Sequence, residues 1–372
     1  MRIRNSLVTI HLWVGLVAAP FLFVLGLTGA IMVFENEIAD AVNPKLVRVH
    51  PAGPALSLGD LESRIRTRYP GYRLLRVRLP PDAQHSVGVD ALAPDDSTEV
   101  ALFVDPYSGK VLGTAAEQSG IPQWIHGLHT HLQAGRTGST IVGSLGLVLL
   151  FLSLSGLILW WPAKIFRVHW SGTTKRVVFY AHNALGVYSW VFLLLFSVTG
   201  AVIHWDGLTA GWIDRVTGST PPQPFPRQAP ACAGRPAVPA DQLLAAAIAA
   251  VPGARPTVLQ MAPDPAAPVR VVFKFPEDRT PAGRTQVFLE PCSAKPLVVR
   301  NARTMPLSLR YTAMWNRELH TGDILGWPTR ILAALFSLSL PLMGLTGPLI
   351  WWTRRRKAGA TAPLPAAALE SS

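Results

Sequence analysis

Four stretches of this 372-residue chain run for more than twenty residues without an Asp, Glu, Lys or Arg: Leu7 to Phe34, Thr137 to Ala163, Val177 to Trp205 and Ile331 to Thr353. An α-helix rises about 1.5 Å per residue, so each is long enough to cross roughly 30 Å of hydrocarbon. With 49% hydrophobic and only 15% charged residues, the composition excludes an ordinary soluble enzyme of this size and predicts four transmembrane helices.

The net charge of +12 would suit a nucleic-acid partner, but its placement argues against one. Arg2 and Arg4 precede the first span, Lys164, Arg167, Lys175 and Arg176 fill the short link between the second and third, and Arg354 to Lys357 follow the fourth. Cationic residues gather on the cytoplasmic side, which puts both termini and the link 164–176 there and the connections 35–136 and 206–330 outside. The arginines before the first apolar stretch resemble a signal peptide. That stretch is too long and lacks a small-x-small cleavage site, so it reads as a retained helix.

The chain is also internally repeated. His11-Leu-Trp-Val-Gly15 leading to Thr28-Gly29-Ala30 matches His182-Asn-Ala-Leu-Gly186 leading to Thr199-Gly200-Ala201 at a constant offset of 171. Trp124, His129 and Thr130 match Trp315, His320 and Thr321, and Gly156 to Trp161 matches Gly347 to Trp352, at an offset of 191. A tandem duplication of span, external domain, span follows, with the halves equally oriented about an axis along the membrane normal.

Each external connection predicts one helix and three strands. In the first these are Leu58 to Tyr69, Arg73 to Leu79, Ser86 to Leu92 and Glu99 to Val104, closed by the turn Asp105-Pro-Tyr-Ser-Gly109. In the second they are Ala240 to Val251, Pro256 to Met261, Val269 to Phe275 and Arg284 to Leu289, closed by Glu290-Pro-Cys-Ser-Ala294. The Pro-rich stretch 221–239 reads as an extended linker and the tail after Lys357 as disordered. Cys232 and Cys292 both fall in the second external connection, where an oxidising compartment permits a disulfide; the spacing leaves the bridge open.

Of ten histidines, four recur in the duplication: His11 with His182, and His129 with His320. The first pair falls toward the cytoplasmic ends of spans one and three, the second just before spans two and four near the outer surface. Symmetry lets each pair face across the bundle axis and ligate one iron from both sides, giving two haem b groups at two levels. Neutral imidazole is a good haem ligand, and an ionisable side chain inside the membrane is expensive without a role. Gly15 and Gly186 would clear room for the inner haem, Gly29 and Gly200 for the outer one, with Gly156 and Gly347 contributing from the other helices. The competing reading has the histidines bonding across the bundle and the glycines allowing close helix packing. Zinc or copper is disfavoured because no Cys, Met or carboxylate joins either pair. His126, His131 and His204 are candidates for external ligation or substrate contact, or for interface solvation.

The doubled H-x3-G…TG span, Leu128-His129-Thr130, Leu319-His320-Thr321 and the turn Asp105 to Lys110 resemble the PepSY-associated transmembrane proteins, and within them the FoxB-type ferric-siderophore reductases of the bacterial inner membrane. The resemblance covers nearly the whole chain to about Lys357. It implies a membrane α-helical fold, a four-helix transmembrane bundle with two periplasmic α+β PepSY-like domains, in these segments: 1–36 first span, 37–121 first periplasmic domain, 122–163 helix and second span, 164–176 cytoplasmic link, 177–206 third span, 207–306 second periplasmic domain, 307–353 helix and fourth span, and 354–372 tail. It further implies haem ligation by His11, His129, His182 and His320, a ferric siderophore as acceptor, and Fe(II) release. Quinol or a cytoplasmic reductant would be the donor. The second copy departs from the turn pattern, with Cys292 and Ala294 in place of Tyr107 and Gly109. The rival function is a membrane-anchored regulator that binds a periplasmic partner through its PepSY domains.

Overall fold

The computed structural model describes residues 2–95, 98–115, 120–219, 225–229, 232, 234–261 and 267–360. Parts of the Pro-rich stretch and the tail from 361 onward therefore lie outside the described residues. The chain divides into two compact units, one holding the long apolar helices (residues 1–33, 123–205 and 319–372) and one holding the strands (34–122 and 206–318).

Four helical segments of the first unit are long and apolar enough to cross a membrane: Arg2–Met32, Gly135–Trp160, Thr174–His204 and Trp327–Thr353. They agree with the uncharged stretches, extended by a few residues wherever the helix continues into polar sequence. The principal contacts join span one to two, two to three, three to four and four back to one, so the spans close a ring in chain order. Spans one and three are then diagonal, as are two and four. Ala18, Leu22, Leu145, Leu149, Leu193 and Leu340 form the buried centre. Small residues permit the closest approaches. At Gly26 a Cβ would stand 2.6 Å from Pro341 Cδ and 2.8 Å from the Ser337 carbonyl oxygen, and the Ser337 hydroxyl donates to the Gly26 carbonyl at 2.9 Å. The fourth span is interrupted at Leu338, between the helices Trp327–Ser337 and Ser339–Ala360. Pro341 has no N–H to offer the Ser337 carbonyl, which is where a helix gives way.

In the second unit, the segments 34–122 and 206–318 follow one plan. The first contributes a helix, Leu58–Arg68, and strands β1 (Arg73–Arg78), β2 (Val87–Leu92), β3 (Glu99–Val104) and β4 (Val111–Thr114). The second contributes Ala240–Ala250 and strands β5 (Arg255–Gln260), β6 (Val269–Lys274), β7 (Thr285–Leu289) and β8 (Pro296–Arg300). Strands β4 and β8, absent from the sequence reading, follow the two matched turns. Segments 37–121 and 207–306, read from sequence as two domains, join in a single eight-stranded sheet, β4-β3-β2-β1-β5-β6-β7-β8. The reason is that β1 and β5 would each expose an unpaired edge, and they remove both by pairing antiparallel, Arg76 with Gln260, Val77 with Leu259 and Arg78 with Val258. One apolar core runs beneath, with Leu61, Ile65, Val89 and Leu102 from the first copy and Leu243, Ala247, Leu259 and Phe273 from the second.

Polar contacts tie the copies together as well. Asp241, in the first turn of its own helix, accepts from the Leu58 and Gly59 amides at 2.9 Å each, at the start of the other copy's helix. Cys232 and Cys292 are bonded (Cα–Cα 5.4 Å), which closes the question the spacing left open. Cys292 occupies the turn position of Tyr107, and Ala294 takes the left-handed backbone (φ 57°) that Gly109 adopts in the first copy (φ 67°).

The segment leaving the first span is latched by a histidine. His85 meets Asp82 through Nδ1 at 2.6 Å and Asp40 through Nε2 at 2.9 Å, while Arg48 reaches the same Asp40 oxygen at 2.9 Å. Backbone bonds run alongside, from Val49 N to the Gln84 carbonyl and from Ser86 N to the Val47 carbonyl, both 2.9 Å. Partial burial opposes the charged imidazole, but the two carboxylates outweigh it and raise the His85 pKa above 6.5. A raised folded-state pKa contributes stability that is complete below the unfolded value and disappears as pH rises through the folded one. Hydrogen-exchange protection of the Val49 and Ser86 amides is therefore expected to fall as pH climbs above about 6.5 through the raised pKa, and His85→Gln should flatten that dependence. Asp241→Ala should cost about 1 kcal/mol in thermal unfolding of the sheet unit, the usual loss when a helix start loses its acceptor.

Candidate functional site

All four repeated histidines lie in the helical unit, and each is held the same way. His11, on span one, meets the Ser155 hydroxyl of span two through Nδ1 at 2.7 Å, and His182, on span three, meets Thr346 Oγ1 of span four at 2.8 Å. His129, on the helix Ile121–His131 before span two, meets Thr28 Oγ1 of span one at 3.0 Å. His320, on the short helix Asn316–Thr321 before span four, meets Thr199 Oγ1 of span three at 2.8 Å. Within each half of the chain, the first span thus holds a histidine from the second segment, and the second span holds one from the first.

A glycine follows each hydroxyl residue and leaves room for the ring. A Cβ would stand 3.0 Å from His129 Cε1 at Gly29, 3.3 Å from His320 Cε1 at Gly200, 3.5 Å from His11 Cε1 at Gly156 and 3.8 Å from His182 Cε1 at Gly347. Gly15 and Gly186 have other neighbours, Leu152 Cδ2 at 3.8 Å and Met343 Cε at 3.4 Å. Of the six glycines singled out from the sequence, Gly29, Gly200, Gly156 and Gly347 lie beside the histidine rings, and Gly15 and Gly186 do not.

The histidines form two groups separated along the helix axes. Seventeen residues of unbroken helix part His11 from Thr28, and seventeen part His182 from Thr199, which is about 25 Å at the helical rise. At one level the His129 and His320 rings face each other with centroids 6.3 Å apart. At the other, His11 and His182 stand on the diagonal spans one and three. Two imidazoles ligating one metal at the usual bond length of about 2.0–2.1 Å put their ring centroids about 6 Å apart, so the outer pair has the spacing such a group requires.

The other histidines stand apart from this pattern. His204 packs edge-on to Trp205 and meets Ser139 Oγ at 3.3 Å between spans two and three. The Nδ1 atom of His131 is buried without a hydrogen-bond partner, two residues beyond His129. Among the described residues, the one cluster of three Cys, His or acidic groups with metal-ligand spacing is Cys232, Glu290 and Cys292, and its thiols are consumed by the disulfide.

Sequence reasoning gave the four hydroxyls no role, although Thr28 and Thr199 are part of the repeated motif. Their signal was present: Thr28, Ser155, Thr199 and Thr346 each stand immediately before a repeated glycine, at the same offsets of 171 and 191.

Bundle and histidines together define a multi-pass membrane protein with a symmetric pair of imidazoles at each of two levels. Residues 8–354 match the family described as the PepSY-associated TM region, and the chain belongs to that family. No curated protein matches it.

The glycine distances rank the expected cost of added bulk. Gly29→Ala, with His129 and Ser337 Oγ both 3.0 Å from the new atom, should lower thermal stability in detergent by about 1–3 kcal/mol through overpacking. Gly347→Ala should stay within about 0.5 kcal/mol of wild type.

Proposed function

We propose that the protein is a dihaem b-type electron carrier of the bacterial inner membrane that reduces a periplasmic ferric siderophore and releases Fe(II). The observation that carries the reading is the pairing of His129 with His320, centroids 6.3 Å apart, in a bundle where all four repeated histidines have equivalent surroundings. His129 and His320 would hold one haem, and His11 and His182 the other. Bound there, haem supplies one-electron chemistry at a potential set by its ligands and their surroundings. The positively charged flanks support a cytoplasmic position for both termini, and in that orientation His11 and His182 would serve the cytoplasmic level and His129 and His320 the periplasmic one.

The chain's own contribution is ligation, exclusion of water and spacing. Ala18, Leu22, Leu149, Leu193 and Leu340 pack the middle of the bundle between the two levels, which excludes water from that layer. Each electron delivered outside converts one Fe(III) chelate to Fe(II), weakening its bonds to hard oxygen donors. The electron comes from quinol or a cytoplasmic reductant. The donor set fits haem better than a closed zinc site, since each level brings two imidazoles, with no third His, Cys or carboxylate ligand clustered with them among the described residues.

Purified protein should show a b-type absorption spectrum with two haems per chain. His129→Ala or His320→Ala should remove about half of the signal, and His11→Ala or His182→Ala the other half. Chemically reduced protein should reoxidise on addition of a ferric siderophore, with Fe(II) trapped by a ferrous chelator. Protein without haem would overturn the reading in favour of a membrane-anchored regulator, and haem that stays reduced with ferric chelates would overturn the choice of acceptor.

A further inference from the structure

The hydroxyls at the four histidines are more constrained than a chance contact requires. Each has one proton to give, and each gives it to the carbonyl one turn earlier on its own helix. Thr28 donates to Val24 at 2.7 Å, Ser155 to Phe151 at 2.7 Å, Thr199 to Leu195 at 2.6 Å and Thr346 to Leu342 at 3.0 Å. Toward the imidazole the oxygen can therefore only accept, so the ring Nδ1 must donate. A neutral imidazole has a single ring proton. With that proton on Nδ1, the lone pair is on Nε2.

Back-bonding of a Ser or Thr to its own helix is common and by itself carries no function. Here it occurs at four positions that all meet a histidine, in two unrelated sequence contexts, Thr-Gly-Ala in spans one and three and Ser-Gly or Thr-Gly near the ends of spans two and four. The back-bond orients the oxygen lone pairs outward, and the glycine beside it admits the ring.

We propose that Thr28, Ser155, Thr199 and Thr346 are positioning residues. They hold His129, His11, His320 and His182 as Nδ1–H tautomers, leave Nε2 as the ligating nitrogen and tune the electron density that each ligand gives to iron. The proposal rests on the dihaem reading. A hydrogen bond accepted from Nδ1–H fixes ring orientation and makes the imidazole a stronger donor, which stabilises Fe(III) over Fe(II) and lowers the reduction potential. The hydroxyl-to-ring distances are 2.7 Å at His11, 2.8 Å at His182 and His320, and 3.0 Å at His129.

The test uses full-length protein in detergent, with haem per chain and both midpoint potentials measured by spectroelectrochemical titration. Thr28→Val keeps the shape and removes the acceptor, and Thr28→Ser restores it; Ser155→Ala and Ser155→Thr do the same at the other level. In Thr28→Val one of the two midpoints should rise, by about 59 mV if the ferric preference falls tenfold, while the other stays put and Thr28→Ser returns to wild type. Loss of haem in Thr28→Val, by about 10- to 100-fold in affinity, with recovery in Thr28→Ser, supports the same role. Full haem with unmoved midpoints in Thr28→Val and Ser155→Ala overturns the proposal while leaving the dihaem reading intact. Equal loss in the Val and Ser variants also overturns it, since packing alone would then decide. Wild-type protein without haem overturns the dihaem reading itself, and this proposal with it.

Discussion

A polar group inside hydrocarbon has no water to turn to, so it must find its partner within the protein. That requirement falls on four histidines here, and each meets it with a hydroxyl on the neighbouring span. The bond needs the two backbones close, and closeness needs a residue without a side chain. Hence the hydroxyl residue is followed by glycine at all four positions, with the ring Cε1 lying 3.0–3.8 Å from where a Cβ would stand. Because each half exchanges histidine and hydroxyl in both directions, span one is tied to span two at one level and to the helix before span two at another about 25 Å away, and span three likewise to span four and the helix before it. The ring of four helices and the opposed imidazoles are consequences of that exchange as much as of apolar packing.

The strand-bearing unit shows the same economy by other means. Two copies of a helix with four strands could each have closed a separate core. Instead the exposed edges of β1 and β5 meet, the cores merge, and Asp241 of one copy caps the helix of the other. The copies are then free to differ away from that seam. The first keeps Tyr107 in its turn, with the hydroxyl donating to the Ala83 carbonyl at 2.7 Å, and the second replaces it by Cys292, bonded to Cys232. Different residues secure the same turn, one by a hydrogen bond and the other by a covalent one.

Much of this was legible in the amino-acid order. The spans were, because charge is excluded from hydrocarbon and leaves an unmistakable gap. Strands β1–β3 and β5–β7 were, because short runs rich in β-branched and apolar residues between turn signals are local. The histidines were, because repetition at constant offsets separates them from the other six. Strands β4 and β8 were not, since Val111–Thr114 and Pro296–Arg300 are short and one contains Gly113 while the other begins with proline. The break at Leu338 was hidden because Pro341 alone does not say whether a helix bends or stops; Pro20 sits inside an unbroken one. The hydroxyls escaped because Ser and Thr are ordinary residues of apolar helices, and nothing local distinguishes one that back-bonds only from one that also receives an imidazole.

What the sequence determined by itself was the membrane class, the repeat and the identity of the four histidines, since charge exclusion and periodicity act along the chain. Tertiary structure alone decided which groups meet: His11 with Ser155 rather than with a residue of its own helix, Gly156 rather than Gly15 beside that ring, β1 against β5, and Cys232 against Cys292. Each of those contacts joins residues 60 to 184 positions apart. Their energies depend on distance in space, which no local pattern encodes.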